Sequence, residues 1–150
     1  MGTDGRRVSR FPFFFYSFRT MDKKYLEDRL RELGLYSQYY HRLELKALAA
    51  MVPYDETINC ILTGVFEGTR KMLAVTDARL LIVGAGPLVD TNIVVINRGA
   101  VTDWKFNRKF LLSSVSFTAQ GKTYTISQTQ GGREELFNRA MQQPVKEYEE

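Results

Sequence analysis

The sequence contains only one cysteine and one histidine among its 150 residues. A single cysteine excludes an internal disulfide and any cysteine-rich metal site. Cys60 lies in an apolar, β-branched segment, which predicts a buried and inert thiol. His41 has no second histidine and no carboxylate cluster near it in the sequence, which favours a packing or surface role. The sequence therefore predicts no metal site, no cofactor and no catalytic residue.

Little net positive charge lies outside the N-terminus. The net charge is +4, and residues 1–20 contribute +3 of it through four arginines and one aspartate, so the other 130 residues carry +1. A nearly neutral domain lacks the broad positive field that dominates nucleic-acid binding. No apolar run approaches the roughly 18 residues that would cross a bilayer. We therefore expect neither a nucleic-acid-binding protein nor a membrane-spanning one.

Residues 1–20 differ from the rest of the chain. A basic start followed by the aromatic run Phe11–Phe18 is similar to a secretory signal, but the run is short, contains Pro12 and precedes no small-residue cleavage site. Two alternatives stay open: an extension before a functional start at Met21, and an apolar arm that packs on a neighbour. We expect residues 1–20 to form a poorly ordered or apolar extension.

Residues 21–53 have the periodicity of two amphipathic helices. The first ends at Gly34, and Ser37 is predicted to cap a second one that Pro53 ends. Each helix must bury its apolar stripe on the β domain or on another subunit. The predicted stripes are Leu26, Leu30 and Leu33 in the first helix, and Tyr40, Leu43, Ala47 and Met51 in the second.

Residues 54–144 predict seven short strands and a closing helix. Thr57–Val83 is a β-branched, apolar stretch that two turns divide into three strands. In the sixth strand, Leu111, Val115 and Phe117 are predicted to share one face. Residues 145–150 are predicted to form a polar tail. The last four strands are predicted at 92–97, 101–106, 110–118 and 123–129, and the closing helix at 133–143, with Leu136, Phe137, Ala140 and Met141 as its apolar stripe.

These elements predict a fold of mainly β (α+β) class. Seven antiparallel strands would form a barrel or sandwich, and the C-terminal α-helix would cap one open end of it. The N-terminal helical pair would precede this domain. No linker rich in glycine, serine or proline divides residues 54–144.

The order of elements resembles the pleckstrin-homology (PH) architecture, and several motifs resemble the bacterial PH-like family called YokE-like. The most specific motif is Leu73–Leu81, which reads LAVTDARLL and is similar to the family's second hairpin. The sequence departs from the family pattern at Ser113, where glycine is expected, and at Ala49, where proline is expected. The resemblance covers residues 44–143 and implies a PH-like fold. Its other motifs are Glu44–Leu48, Pro53–Glu56, Val101–Trp104, Val115–Phe117 and Gly121–Lys122.

Two further motifs receive structural interpretations. Ile82–Val89 is similar to a dinucleotide-binding glycine loop, but Val89 replaces the third glycine and a strand follows where a helix is needed. We therefore predict a plain glycine loop. In the second hairpin, Thr76 and Asp77 are predicted to accept bonds from backbone amides, and Arg79 to pair with Asp77 or with a carbonyl across the hairpin.

The resemblance also points to a candidate ligand site. PH domains that hold phosphoinositides resemble one another in a basic cluster around the first hairpin. This chain offers Arg70 and Lys71 there, opposed by Glu67, and Lys122 is expected at the same end of the barrel. The hypothesis is that Arg70, Lys71 and Lys122 bind an anionic lipid headgroup, and the alternative is solvated turn charges. The basic residues expected on a different rim are Arg98, Arg108 and Lys109.

The leading functional prediction is a non-catalytic PH-like binding or scaffold module that acts through protein contacts, including self-association. The helical pair prompts it, because the barrel already has its own plug and the pair needs another surface. Peripheral membrane attachment through Arg70, Lys71 and Lys122 is the alternative. An enzyme with a site assembled from scattered carboxylates is a third hypothesis. We expect a cytoplasmic protein, peripheral to the membrane under the second hypothesis.

Overall fold

The computed structural model of the protein describes residues 23–40, 42–84, 93–130 and 132–146. The predictions for residues 1–20, for His41 and for most of the glycine loop lie outside these residues. So does the last part of the predicted polar tail.

Seven antiparallel strands form one sheet in the order β4-β3-β2-β1-β7-β6-β5. The first strand pairs with both β2 and β7, so it joins the two halves of the sheet. The strands are β1 Ile58–Phe66, β2 Thr69–Thr76, β3 Arg79–Val83, β4 Val94–Asn97, β5 Val101–Asn107, β6 Ser113–Ala119 and β7 Lys122–Thr129. The helices are α1 Lys23–Leu33, α2 Tyr36–Tyr39, α3 Glu44–Met51 and α4 Glu134–Gln142.

Strands β1 to β3 are covered on both faces, which explains why their sequences are almost continuously apolar. The inner face belongs to a cluster, here called the inner core, that extends onto β6, β7 and α4. The outer face belongs to a second cluster, the outer core, which the strands share with α1, α2 and α3. The outer core contains Leu26, Leu30, Leu35, Tyr39, Leu45, Leu48, Ala49, Val52, Ile58, Ile61, Met72, Ala74, Leu81 and Val83.

Strands β6 and β7 bury only the inner face. In β6, residues 113, 115, 117 and 119 are buried and those between them are half-exposed, which is the alternation of a sheet with one solvated face. The inner core is closed by α4, whose Phe137, Ala140 and Met141 are buried in it. The predicted seven-stranded sheet with a C-terminal helical cap is confirmed.

The predicted second helix is in fact two helices, α2, which ends at Tyr39, and α3, which begins at Glu44. This break resets the helical phase, so the predicted apolar face is wrong at Tyr40 and Leu43, whereas Met51 does pack on the outer core. Tyr40 and Leu43 are exposed, whereas Leu45 and Leu48 face the sheet. Because α1 to α3 bury their apolar side chains in the outer core, the helical segment does not need another subunit to cover it.

The sixth strand begins at Ser113, three residues later than predicted. Pairing with β5 starts at Asn107 and Ser114, so residues 108–112 form the loop of this hairpin. Leu111 is exposed and does not share the buried face of Val115 and Phe117. Apolar composition extended the strand prediction into the loop, because a short apolar run carries no information on where pairing ends.

Candidate functional site

The predicted ligand site lies at the end of the sheet that carries the β1–β2 and β6–β7 turns. Both turns have two successive residues with positive φ, Glu67-Gly68 (52° and 83°) and Gln120-Gly121 (53° and 81°). Such pairs are typical of tight two-residue hairpins. Because β1 and β7 are antiparallel, with Val65 opposite Ser127, the two turns lie at the same end, as the sequence predicts.

The three predicted ligand residues do not all face solvent. Arg70 is exposed, and exposed Lys122 lies with its Nζ 5.0 Å from the ring centroid of Tyr124. Lys71 is only 6% exposed and alternates onto the same face as the inner-core residue Leu73. Arg70 and Lys122 are therefore the accessible members of the predicted set, and Lys71 lies against the core.

The second hairpin is held by hydrogen bonds of its own side chains. The Thr76 hydroxyl oxygen accepts bonds from the backbone N–H groups of Ala78 (3.0 Å) and Arg79 (2.8 Å). The Asp77 carboxylate accepts a bond from the N–H of Thr57 at 3.1 Å. These contacts agree with the structural interpretation of Thr76 and Asp77.

Arg79 has a different partner from the one predicted. Its guanidinium forms a two-point pair with Glu56, with distances of 3.1 Å from Nη2 to Oε1 and 3.2 Å from Nε to Oε2. It also donates to the carbonyl of Met51 at 3.1 Å. Glu56 is fully buried, so this ion pair has a structural role. Together with the bond to Met51, it ties the end of α3 to the second hairpin.

Arg98 was expected on a rim but is buried. One nitrogen of its guanidinium donates to the carbonyls of Met141 and Gln143, each at 2.7 Å, at the C-terminal end of α4. A cation is favourable at that position, where helical carbonyls lack partners. Burial lowers the pKa of Arg98, and the nearby Asp77 carboxylate opposes this shift. Arg98 therefore anchors the helical cap, a role that no local sequence motif reveals.

Sequence reasoning missed the most exposed apolar segment among the described residues. Phe110, Leu111 and Leu112, in the β5–β6 loop, are 98%, 78% and 46% exposed. Two exposed basic residues precede them, and Arg108 Nη2 lies 2.8 Å from Glu134 Oε1 on α4. A shallow depression of about 420 Å³ adjoins this ion pair along α4. The signal in the sequence was the run RKFLL, whose last three residues were assigned to the sixth strand.

The two end strands of the sheet differ in their exposed side chains. Val95 of β4 is 49% exposed, and Ile93, just before the strand, is 44% exposed. On β5, the exposed positions include Asp103 and Lys105. Within the described part of the chain, no hydrogen bond joins the outer backbone edge of β4 to another segment.

The described residues carry no cluster typical of catalysis. They contain no group of three or more His, Cys, Asp or Glu side chains that could hold a metal ion. Cys60 is buried in β1, as predicted, and burial raises the pKa of its thiol to about 12. Of the helices in the described ranges, none has the length and apolar character to span a bilayer.

A seven-stranded antiparallel sheet whose inner core is closed by a C-terminal helix defines a PH-like fold. The chain matches the family model described as bacterial PH domain over residues 53–143, and it belongs to that family. PH domains in general mediate contacts with proteins or lipids, which supports a binding or scaffold module. No curated protein matches the chain.

Proposed function

We propose that this protein is a non-catalytic scaffold module of the bacterial PH family that self-associates through the exposed edge of β4. The observation that carries the proposal is the uncharged edge formed by Ile93–Asn97. Within the family, the LAVTDARLL hairpin motif supports membership of the YokE-like group.

Edge strands of stable monomers are usually protected by charged residues, proline or a bulge, because their free backbone groups pair readily with another strand. Residues 93–97 read IVVIN and contain none of these features. Two copies related by a two-fold axis could pair their β4 strands antiparallel and join their sheets. Such pairing would place the exposed Val95 side chains of the two copies against each other.

The helical segment no longer supports self-association, because its apolar stripe is buried in the outer core. The proposal therefore depends on β4 alone. A four-residue strand forms few backbone bonds, so we expect a weak dimer that dissociates on dilution rather than an obligate one.

Light scattering over a range of protein concentrations tests this proposal. We expect the wild type to approach the mass of a dimer as concentration rises and Val95→Lys to remain a monomer, since a charge at the edge opposes pairing. Thr102→Lys places the same charge at an exposed site on the other end strand and should leave the dimer intact. A wild-type protein that stays monomeric at every concentration contradicts the proposal.

A second candidate function is peripheral attachment to anionic membranes through Arg70 and Lys122, the two accessible residues of the predicted set. It is favoured by the exposure of Arg70 and Lys122, each beside one of the two tight turns. Arg70→Glu with Lys122→Glu should abolish sedimentation with anionic vesicles, whereas unchanged sedimentation contradicts this candidate. Under both proposals the protein is cytoplasmic, and under the second it is also peripheral to the membrane.

A further inference from the structure

We propose that the β5–β6 loop, residues 108–112, is a membrane-contact site that inserts Phe110 and Leu111 into a bilayer containing anionic lipids. This site is separate from Arg70 and Lys122. It is also independent of the β4 edge.

The apolar side chains of this loop project from the protein surface. Phe110 is 98% exposed and Leu111 is 78% exposed, so Phe110 makes almost no contact with the domain and Leu111 makes little. The loop joins β5 and β6 at the end of the sheet where α4 begins, and the first turn of α4 contacts it through the Arg108–Glu134 pair. A projecting apolar tip needs no complementary groove when its partner is the acyl boundary of a membrane.

The charges beside the tip fit an anionic surface. Exposed Lys109 directly precedes Phe110, and the Arg108 side chain is 73% exposed. An exposed ion pair such as Arg108–Glu134 contributes little, so the guanidinium can exchange Glu134 for a lipid phosphate. The other charged side chains that line the adjacent depression are Glu135 and Arg139, which offset each other. Basic groups next to inserted apolar side chains add attraction to anionic headgroups.

The topology separates this site from the one at Arg70 and Lys122. Successive antiparallel strands place the β5–β6 loop at one end of the sheet and the β6–β7 turn at the other. A flat bilayer can therefore meet only one of the two sites on a given molecule. Substitutions at the two ends thus report on different modes of membrane binding.

Sedimentation of the full chain with phosphatidylcholine vesicles, with and without phosphatidylserine, tests the apolar contribution. We expect binding to the vesicles with phosphatidylserine, weakened about tenfold by Leu111→Ser and about a hundredfold by Phe110→Ser with Leu111→Ser. Leu43→Ser is the matched control, because Leu43 is similarly exposed (68%) but lies between α2 and α3. Binding by that variant should equal binding by the wild type.

A second pair of variants tests the charge. Lys109→Glu should weaken binding to the phosphatidylserine vesicles by fivefold or more, on the basis of about 1 kcal/mol for each basic residue near an anionic surface. Lys46→Glu, at an exposed position on α3, is the matched control and should have no such effect. Added salt should weaken the wild type more than Lys109→Glu.

Three outcomes would overturn the inference. One is a wild type that binds neither kind of vesicle. Another is equal vesicle binding by the wild type and by the double variant Phe110→Ser, Leu111→Ser, together with loss of binding in the double variant Arg70→Glu, Lys122→Glu. That result would place the membrane contact at the opposite end of the sheet. A third is a change in oligomeric mass in the loop variant without vesicle binding, which would make the loop a protein interface. Val95→Lys should bind vesicles as the wild type does. Vesicle binding therefore tests the loop site independently of the self-association proposal.

Discussion

The two halves of the sheet are covered differently. Strands β1 to β3 lie between the outer core and the inner core, whereas β6 and β7 have one face in the inner core and one in solvent. In the solvated half, hydroxyl pairs occupy the outer face, such as Ser116 with Thr125 at 3.0 Å. Because the helices cover the outer face of β1 to β3, that face cannot bind a partner. The surfaces available for binding are the sheet edges, the turns and the solvated face of β6 and β7.

The largest expected effect compares the outer faces of the two halves directly. Leu81→Ala removes a fully buried side chain of the outer core and should lower the free energy of unfolding by about 3 kcal/mol, because it leaves a cavity under the helices. Thr125→Ala, on the solvated face of β7, should change it by no more than about 0.5 kcal/mol. Urea unfolding of both variants measures the difference. Equal losses would mean that the helices do not seal the outer face.

Much of this asymmetry could be predicted from the sequence. Continuous apolar runs indicated β1 to β3, and alternation indicated β7, because burial on two faces or on one leaves different patterns. The closing helix was also predicted with its buried stripe, since Phe137, Ala140 and Met141 recur at helical spacing.

The interactions that the sequence did not reveal are long-range ones. Glu56 and Arg98 are charged residues that the fold buries beside partners 23 and 45 residues away in the chain, and no local pattern marks such pairs. The candidate lipid residues were predicted as one solvent-facing basic cluster, but Lys71 is only 6% exposed. Its alternation with Leu73 places it on the buried inner face, and charge alone gave no sign of this.

The next effect concerns the seam where the two halves meet. An ideal Cβ built at Gly64 would lie 2.5 Å from the carbonyl oxygen of Ser127 and 2.6 Å from Cγ2 of Ile126 on β7. Gly64→Ala should therefore force β1 and β7 apart and lower the free energy of unfolding by about 2 kcal/mol. Gly99→Ala is the control, because no atom lies within 4 Å of the added Cβ there. Urea unfolding should give Gly64→Ala a clearly lower free energy of unfolding than Gly99→Ala. The reverse order would show that β1 and β7 are not packed closely at Gly64.

The smallest effect sharpens the comparison through Cys60, which lies on β1 in the half that is covered on both faces. Burial raises the pKa of its thiol from 9.0 to about 12, although the charge of Arg133 opposes the shift. Above about pH 9 the unfolded chain loses this proton and the native protein keeps it, so stability falls as the pH rises. Between pH 8 and pH 10 the loss through this thiol should be about 1 kcal/mol. Urea unfolding at pH 8 and at pH 10 measures this loss. Cys60→Ala should be less stable than the wild type overall, but its free energy of unfolding should fall by about 1 kcal/mol less between the two pH values. Equal losses would mean that water reaches the thiol and that β1 is less completely covered than the rest of its half.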